Sequence, residues 1–368
     1  MSAKRSTAWL IVAVLSVSGS VAGVGLCDYR APTTDLSHVN LALYYDYLDT
    51  PEAGSADVSI GRLTLGLGRI HDEPDLGYSL GSANEFLFTR LRLTELSGDS
   101  FLTARSYPRT GEPAYVFGEL RATYSTERLA PSAQLRAGIG YGRLTDVTPL
   151  AKALRIEETL REDRTIDAGL PDGVLLDIAS VIGREREYGT LAAWVGAVES
   201  LIEGAAGVAL NARALLAIVE EIVADGAEMH CGWTVRFGIA RELLRRVDAE
   251  REILFSLSTD VARSLSLDSQ VEAYADLSGP IERAKATAAS FGFSYSRRLS
   301  TAASVVAEYA LKRFETDASV VTTSEAFDVR LLVEIGRLDL SADLSLSRGA
   351  PELQWSERLL VSARVDLI

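Results

Sequence analysis

The stretch that most restricts the fold is the tail, residues 326 to 367. From Phe327 the apolar side chains fall on every second position, Phe327, Val329, Leu331, Val333 and Ile335, with Asp328, Arg330 and Glu334 between them. Such alternation is the signature of a strand with two chemically different faces. Past Gly336 and Arg337 it restarts with Leu338, Leu340, Ala342, Leu344 and Leu346 against Asp339, Ser341, Asp343 and Ser345. It starts a third time with Leu359, Val361, Ala363, Val365 and Leu367 against Arg358, Ser362, Arg364 and Asp366. Soluble strands are typically about five or six residues long. These runs extend to roughly ten or more, the length needed to cross a bilayer at a tilt. The tail therefore reads as adjacent strands of a transmembrane β-barrel.

The same alternation recurs upstream. It is visible at Val39–Tyr47, Leu63–Leu67, Phe86–Glu95, Val116–Tyr124 and Ala133–Tyr141, and more weakly at Ser100–Tyr107. After residue 231 it returns at Trp233–Ile239, Ile253–Val261, Val271–Leu277, Phe291–Tyr295 and Val305–Leu311, giving eight strands with the three of the tail. Between the two sets the period changes. Leu175, Ile178, Ala179 and Ile182 recur at helical spacing, as do Leu191, Val195, Val198 and Ile202, then Leu215, Ile218, Val219 and Ile222. Residues 147–231 carry seven basic and fifteen acidic side chains, so these helices belong in water rather than lipid.

Loop lengths place that helical insert. Transmembrane barrels keep short turns on the periplasmic side and longer loops outside. Eight strands after the insert, with the last running toward the periplasm, start the first of them at the periplasmic rim. An even number must then precede it, which promotes Ser100–Tyr107 to a strand and makes the total fourteen. The expected fold is mainly β: a transmembrane antiparallel β-barrel of about 14 strands with an inserted small α-helical domain. The expected division is 1–22 signal peptide, 23–147 first part of the barrel, 148–231 periplasmic helical insert and 232–368 second part of the barrel.

The signal peptide follows from Lys4 and Arg5, the uncharged run Ala8–Leu15, and the small-x-small site Ser20-Val21-Ala22. Beyond it no stretch is long and apolar enough for a spanning helix, so crossing must use closed strands. The net charge of −14 argues against a nucleic-acid partner, which selects clustered basic residues. Cys27 and Cys231 are the two cysteines; in an oxidising compartment they form a candidate bridge at the same rim. Lipidation of Cys27 is the alternative, but the bulky Leu26 precedes it where that processing wants a small residue.

Chemical motifs are sparse. Gly77-Tyr78-Ser79-Leu80-Gly81 matches the hydrolase elbow literally, yet that elbow needs a strand, a strained turn and a helix, and here a strand follows. Gly138-Ile139-Gly140-Tyr141-Gly142 lacks the dinucleotide spacing; glycines on one strand face instead permit a bend or the close approach of another side chain. His38, His71 and His230 are scattered without ligand spacing. No catalytic, cofactor-binding or metal-binding residue is assigned. The candidate lumen-lining residues are Arg236, Glu308, Lys312, Asp328, Arg330, Glu334, Asp339, Asp343, Arg358 and Arg364, which either line a solute path or pair across the lumen. Trp233 and Trp355 read as interfacial anchors.

Taken together these patterns resemble bacterial outer-membrane β-barrel proteins along nearly the whole chain. The run from Gly138 to Arg155 and the run Arg184-Glu185-Arg186-Glu187-Tyr188 are similar to stretches of uncharacterised barrels that carry a helical insert. The resemblance implies an outer-membrane location, with membrane lipid and the barrel-assembly machinery as partners. Barrels of this class usually end on an aromatic residue, whereas here the apolar phase ends on Leu367 and Ile368 follows. Two functions fit. One is a channel or porin-like conduit for small polar solutes; the other is a non-transporting scaffold whose insert binds a periplasmic protein or cell-wall partner.

Overall fold

The computed structural model describes residues 25–29, 34–48, 58–109, 111–126, 131–224, 228–244, 253–281, 287–300, 302–315, 321–335, 338–349 and 355–365. The expected signal peptide, residues 1–22, and the final residues 366–368 lie outside them. Fourteen strands form a closed barrel in sequence order, each antiparallel to its neighbours. The first six are β1 (Thr34–Leu48), β2 (Val58–Asp72), β3 (Leu76–Thr89), β4 (Arg92–Ser106), β5 (Ala114–Ser125) and β6 (Ser132–Asp146). The other eight are β7 (His230–Leu244), β8 (Ile253–Ser266), β9 (Ser269–Pro280), β10 (Ala288–Ser300), β11 (Ala303–Glu315), β12 (Val321–Ile335), β13 (Leu338–Gly349) and β14 (Ser356–Val365). The ring closes where β1 meets β14 through Leu41↔Val365 and Ala42↔Arg364. Closure matters because an unpaired strand edge in hydrocarbon leaves a row of unsatisfied amides.

Register sorts the side chains into an outer and an inner set. In β12 and β13, Phe327↔Leu346, Val329↔Leu344 and Leu331↔Ala342 share one face, while Asp328↔Ser345 and Arg330↔Asp343 share the other. The first set continues into β14 at Leu359 and Val361, which are 71% and 68% exposed. Around the barrel the same exposed set includes Leu67, Leu80, Leu120, Ile139, Phe237 and Leu257. These large apolar side chains have no protein to cover them, as an outer wall facing lipid requires. The rings of Tyr141 and Trp233 lie 5.7 Å apart, tilted by 36°, near the insert end of that wall. Arg348 lies 4.9 Å over Trp355 at the opposite end, so aromatic rings mark both rims.

One stretch departs from the sequence reading. Phe86–Glu95 is not a single strand: β3 ends at Thr89, the chain reverses at Arg90 and Leu91, and β4 begins at Arg92. Arg90 and Leu91 both adopt positive φ, 52° and 59°, the two-residue hairpin geometry usually supplied by Asn-Gly. Leu87, Leu91 and Leu93 keep an odd-numbered spacing in the sequence, which hides the turn from a periodicity count, although Leu87 shares the face of Arg62 and Glu85 and Leu93 pairs with Phe88 on the other. Ser100–Tyr107 is accordingly the second half of β4 rather than a strand of its own, and the number of strands before the insert remains six.

The insert contains four helices, α1 (Thr148–Glu162), α2 (Asp172–Ile182), α3 (Leu191–Ala206) and α4 (Ala212–Val223). Thr190 caps α3 by accepting from the Ala193 amide at 3.2 Å, and Asn211 caps α4 by accepting from Ala214 at 3.0 Å. Gly207 ends α3 at φ 69°, a left-handed position that favours glycine. Lys152 donates to the carbonyls of Ile222 and Ala224 at 2.8 and 2.9 Å, satisfying acceptors that the end of α4 leaves free. Leu150, Ile156, Ile178, Val198, Ile202 and Ile218 build the buried core of this unit. It sits at the rim where β2, β4 and β6 end and where the connections 73–75, 267–268, 301–302 and 336–337 are short. Connections at the other rim include 49–57, 245–252 and 350–355.

Facing can be tested directly. Leu331→Arg on the outer wall is expected to cost about 2–4 kcal/mol near the bilayer midplane, whereas Ser345→Arg on the inner wall is expected to be tolerated. Denaturant titration of both variants folded in lipid vesicles measures the difference; equal losses would contradict the assigned faces.

Candidate lumen and insert junction

The inner wall is charged, and most of its ion pairs run between adjoining strands. Arg62 of β2 meets Glu85 of β3 at 3.1 Å, Arg121 of β5 meets Asp99 of β4 at 2.9 Å, and Arg236 of β7 meets Asp260 of β8 at 2.7 Å. Arg136 reaches Glu119 at 3.5 Å, and Arg330 hydrogen-bonds Asp343. The sequence reading allowed pairing across the lumen. In the structure these partners satisfy one another side by side along the wall; at the insert end Arg143 of β6 and Arg105 of β4 instead converge on Asp72 of β2, at 2.8 and 3.8 Å.

The inner-face residues named from sequence fall as follows. Arg236 and Glu308 line the larger cavity of the bore, which measures ≈ 610 Å³. Asp328 stands in register with Glu308 and Ser345. Lys312 pairs in register with Ser290 and Ser324, and Arg358 with Ser345. Glu334, Asp339 and Arg364 are placed by backbone register alone, Glu334↔Asp339 and Asp339↔Arg364. Sequence reasoning missed the first half of the lumen. Arg62, Asp72, Glu85, Asp99, Arg105 and Arg136 all lie on inner faces, where glycine, serine and threonine between the charges blur the alternation.

The larger cavity opens at the insert end of the bore, between Asp72, Arg105, Asp146 and His230. A second, of ≈ 530 Å³, lies between Thr64, Glu85, Glu95, Asp99 and Thr123 toward the far rim. The glycine run of β6 explains how the wall carries aromatic rings beside this open space. The Tyr115 ring on β5 crosses Gly140, where any Cβ would overlap it, and the hydroxyl reaches Thr234 Oγ1 on β7 at 2.6 Å. Phe117 lies against Gly138 in the same way, and Tyr274 covers Gly292 four strands farther round the wall. Rings laid flat over glycine stiffen the wall without filling the lumen. Gly142 has φ 99°, a backbone conformation that a side chain would strain.

Ser79 sits inside β3 and lines the larger cavity, as does His230. No hydrogen bond joins them among the described residues, and Ser79 is not on the strand-to-helix turn that a nucleophile elbow needs. His230 instead faces Glu272 at 3.3 Å.

Two ties hold the insert to the barrel. Cys27 and Cys231 are disulfide-bonded, with Cα atoms 5.2 Å apart and 204 residues between them in sequence. Next to this bridge Tyr29 is buried in the core of the insert. Burial pushes its phenol up to about 12, Asp146 adds to the rise and Arg184 opposes it. Tyr29 therefore stays neutral and acts as an apolar anchor for the segment that carries Cys27. The second tie is ionic. Glu221 of α4 accepts from Arg298 of β10 through both carboxylate oxygens, at 2.9 and 2.8 Å, and from Arg155 of α1 at 2.7 Å. Arg155 also donates to the Leu267 carbonyl in the β8–β9 turn. All three side chains are 13% exposed or less. One carboxylate thus fastens two helices to the barrel wall.

No protein-family model matches the sequence, and none of the curated proteins does. Solved structures that resemble it include OccK1 (OpdK) of Pseudomonas aeruginosa, at 9% identity and TM-score 0.34, over 91% of this chain and 98% of that one. A BenF-like porin from Pseudomonas fluorescens has 6% identity and TM-score 0.36, over 92% of this chain and 100% of that one. The TodX monoaromatic hydrocarbon channel has 9% identity and TM-score 0.32, over 93% of this chain and 82% of that one. Likenesses this distant transfer nothing to the chain, whose lumen has to be judged on its own geometry.

Removing the shared carboxylate should release the insert. Glu221→Gln leaves Arg155 and Arg298 buried without their counter-charge, a change that typically costs about 3–5 kcal/mol. Limited proteolysis should then cut within residues 148–223 while the barrel resists, and an unchanged cleavage rate would contradict the latch.

Proposed function

We propose that the chain is an outer-membrane channel for small polar solutes, with its helical insert on the periplasmic side. The observation that carries this reading is the lumen. Most of its charges pair along the wall, and open space remains between them, ≈ 610 Å³ at one end and ≈ 530 Å³ at the other. A barrel that served only as an anchor could pack its interior with side chains. The apolar outer wall supports the membrane setting, and the disulfide supports an oxidising compartment. Apart from the Arg90-Leu91 hairpin the two- and three-residue connections share the rim of the insert, which matches the periplasmic side of such barrels.

The lining of the larger cavity adds a sign to the path. It carries five carboxylates, Asp72, Asp146, Asp260, Glu272 and Glu308, against the guanidiniums of Arg105 and Arg236. Low-dielectric walls of one net sign raise the local concentration of the opposite ion, so cations are favoured over anions. The purified chain in planar bilayers should give stepwise conductance, and a potassium chloride gradient should give a reversal potential on the cation side. Absence of channels in bilayers that accept a control porin would remove the conduit reading. Anion selectivity would contradict the assigned charge of the lumen.

A further inference from the structure

The larger cavity carries a basic group with only one long ion pair and an acidic group with none among the described residues, on opposite walls. Arg105 on β4 and Glu308 on β11 both line it, and in a ring of fourteen strands in sequence order β4 and β11 stand diametrically opposite. Arg105 has no hydrogen bond among the described residues. Its nearest carboxylate oxygen, Oδ1 of Asp72, lies 3.8 Å away, and the other oxygen of Asp72 is held by Arg143 at 2.8 Å. On the far wall Asp260 is held by Arg236 at 2.7 Å and Glu272 meets His230 at 3.3 Å. Glu308 has neither a hydrogen bond nor an ion pair among the described residues, and its register partner on β12 is another acid, Asp328.

Like charges opposite one another on adjacent strands destabilise a sheet, so an incoming cation at Glu308 and Asp328 relieves a repulsion built into the wall. Arg105 makes no hydrogen bond among the described residues and holds only the 3.8 Å contact with Asp72, so its guanidinium donors can turn to a carboxylate, the anion whose geometry they match. An anion alone would leave Glu308 unanswered, and a cation alone would leave Arg105 so. We infer that this cavity binds an elongated zwitterion, of the class of a short peptide, with its carboxylate on Arg105 and its ammonium on Glu308. The volume of ≈ 610 Å³ falls among those of small-molecule sites, about 300–1,000 Å³. Tyr274 and Phe101 line the same space and give the uncharged middle of such a ligand apolar surface. The inference deepens the conduit reading, on which its transport role rests, by naming the solute class.

Isothermal titration of the full chain in detergent, with triglycine, N-acetyl-triglycine and triglycine amide, tests it without relying on conduction. Triglycine should bind, and loss of either terminal charge should weaken binding by at least roughly tenfold. Arg105→Gln should make triglycine bind no better than its amide, and Glu308→Gln should make it bind no better than the N-acetyl form. Heat-modifiable migration on gels confirms that each variant is a folded barrel, and the comparison of ligands in the unaltered chain needs no variant at all. Equal binding of the three peptides, or binding of none at millimolar concentration, would overturn the site. Conductance without charge discrimination overturns the site and leaves the conduit. Discriminating binding without conductance supports the site and removes the conduit.

Discussion

Everything in this structure depends on one constraint: backbone amides in hydrocarbon have no water to turn to, so every strand must find a partner. Fourteen strands in sequence order meet that demand by closing β1 on β14. Once the ring is closed, the pleat dictates the rest, because alternate side chains can only face lipid or lumen. The outer set is therefore large and apolar, as at Ile139, Leu359 and Val361. The inner set is free to be charged, as at Arg236, Asp260, Arg330 and Asp343.

That freedom brings its own requirement, since charges in a narrow bore must be neutralised. Here neutralisation runs sideways, Arg62 to Glu85 and Arg121 to Asp99 between adjacent strands. Pairing of this kind costs the lumen little width. The aromatic rings follow the same economy of space, lying over glycines on the next strand instead of projecting inward. Residues left out of the side-by-side pairing, Arg105 and Glu308 above all, are the ones that face open volume and carry the solute selectivity proposed for this channel. At the rim the opposite strategy holds: Glu221 draws two arginines into a buried cluster, and the disulfide ties residue 27 to the base of β7, so the insert is fixed to the β7–β10 side. In the chain-entropy model, closing a loop of this size restricts the unfolded chain by several kcal/mol.

How much of this was legible depended on how pure the alternation is. The tail could be read because Phe327, Val329 and Leu331 alternate with Asp328 and Arg330 with no interruption, and the inner face of β12 and β13 was visible in the same step. The β3–β4 hairpin could not be read that way. Its turn is Arg90-Leu91 with no glycine or asparagine, and a bulge between Leu87 and Phe88 shifts the register beside it, so Leu93 and Leu87 lie on opposite faces while the apolar spacing in the sequence runs on unbroken. Arg105 was hidden for a related reason: its neighbours Thr103 and Ala104 differ too little in polarity to mark two faces. The Arg155–Glu221–Arg298 cluster joins residues far apart in the chain, and local pattern carries no trace of such a contact. The glycines of β6 did signal close approach, but only the structure shows that Tyr115 and Phe117 are what approaches.

Cysteine accessibility in intact cells tests whether the helical insert occupies the periplasmic rim of a membrane barrel. Leu216→Cys places a thiol on the exposed side of α4, and Leu243→Cys places one at the far end of β7. The native cysteines are paired and stay silent. A membrane-impermeant maleimide should label residue 243 in intact cells and residue 216 only after the outer membrane is permeabilised. Labelling of residue 216 in intact cells, with residue 243 protected, would contradict the account.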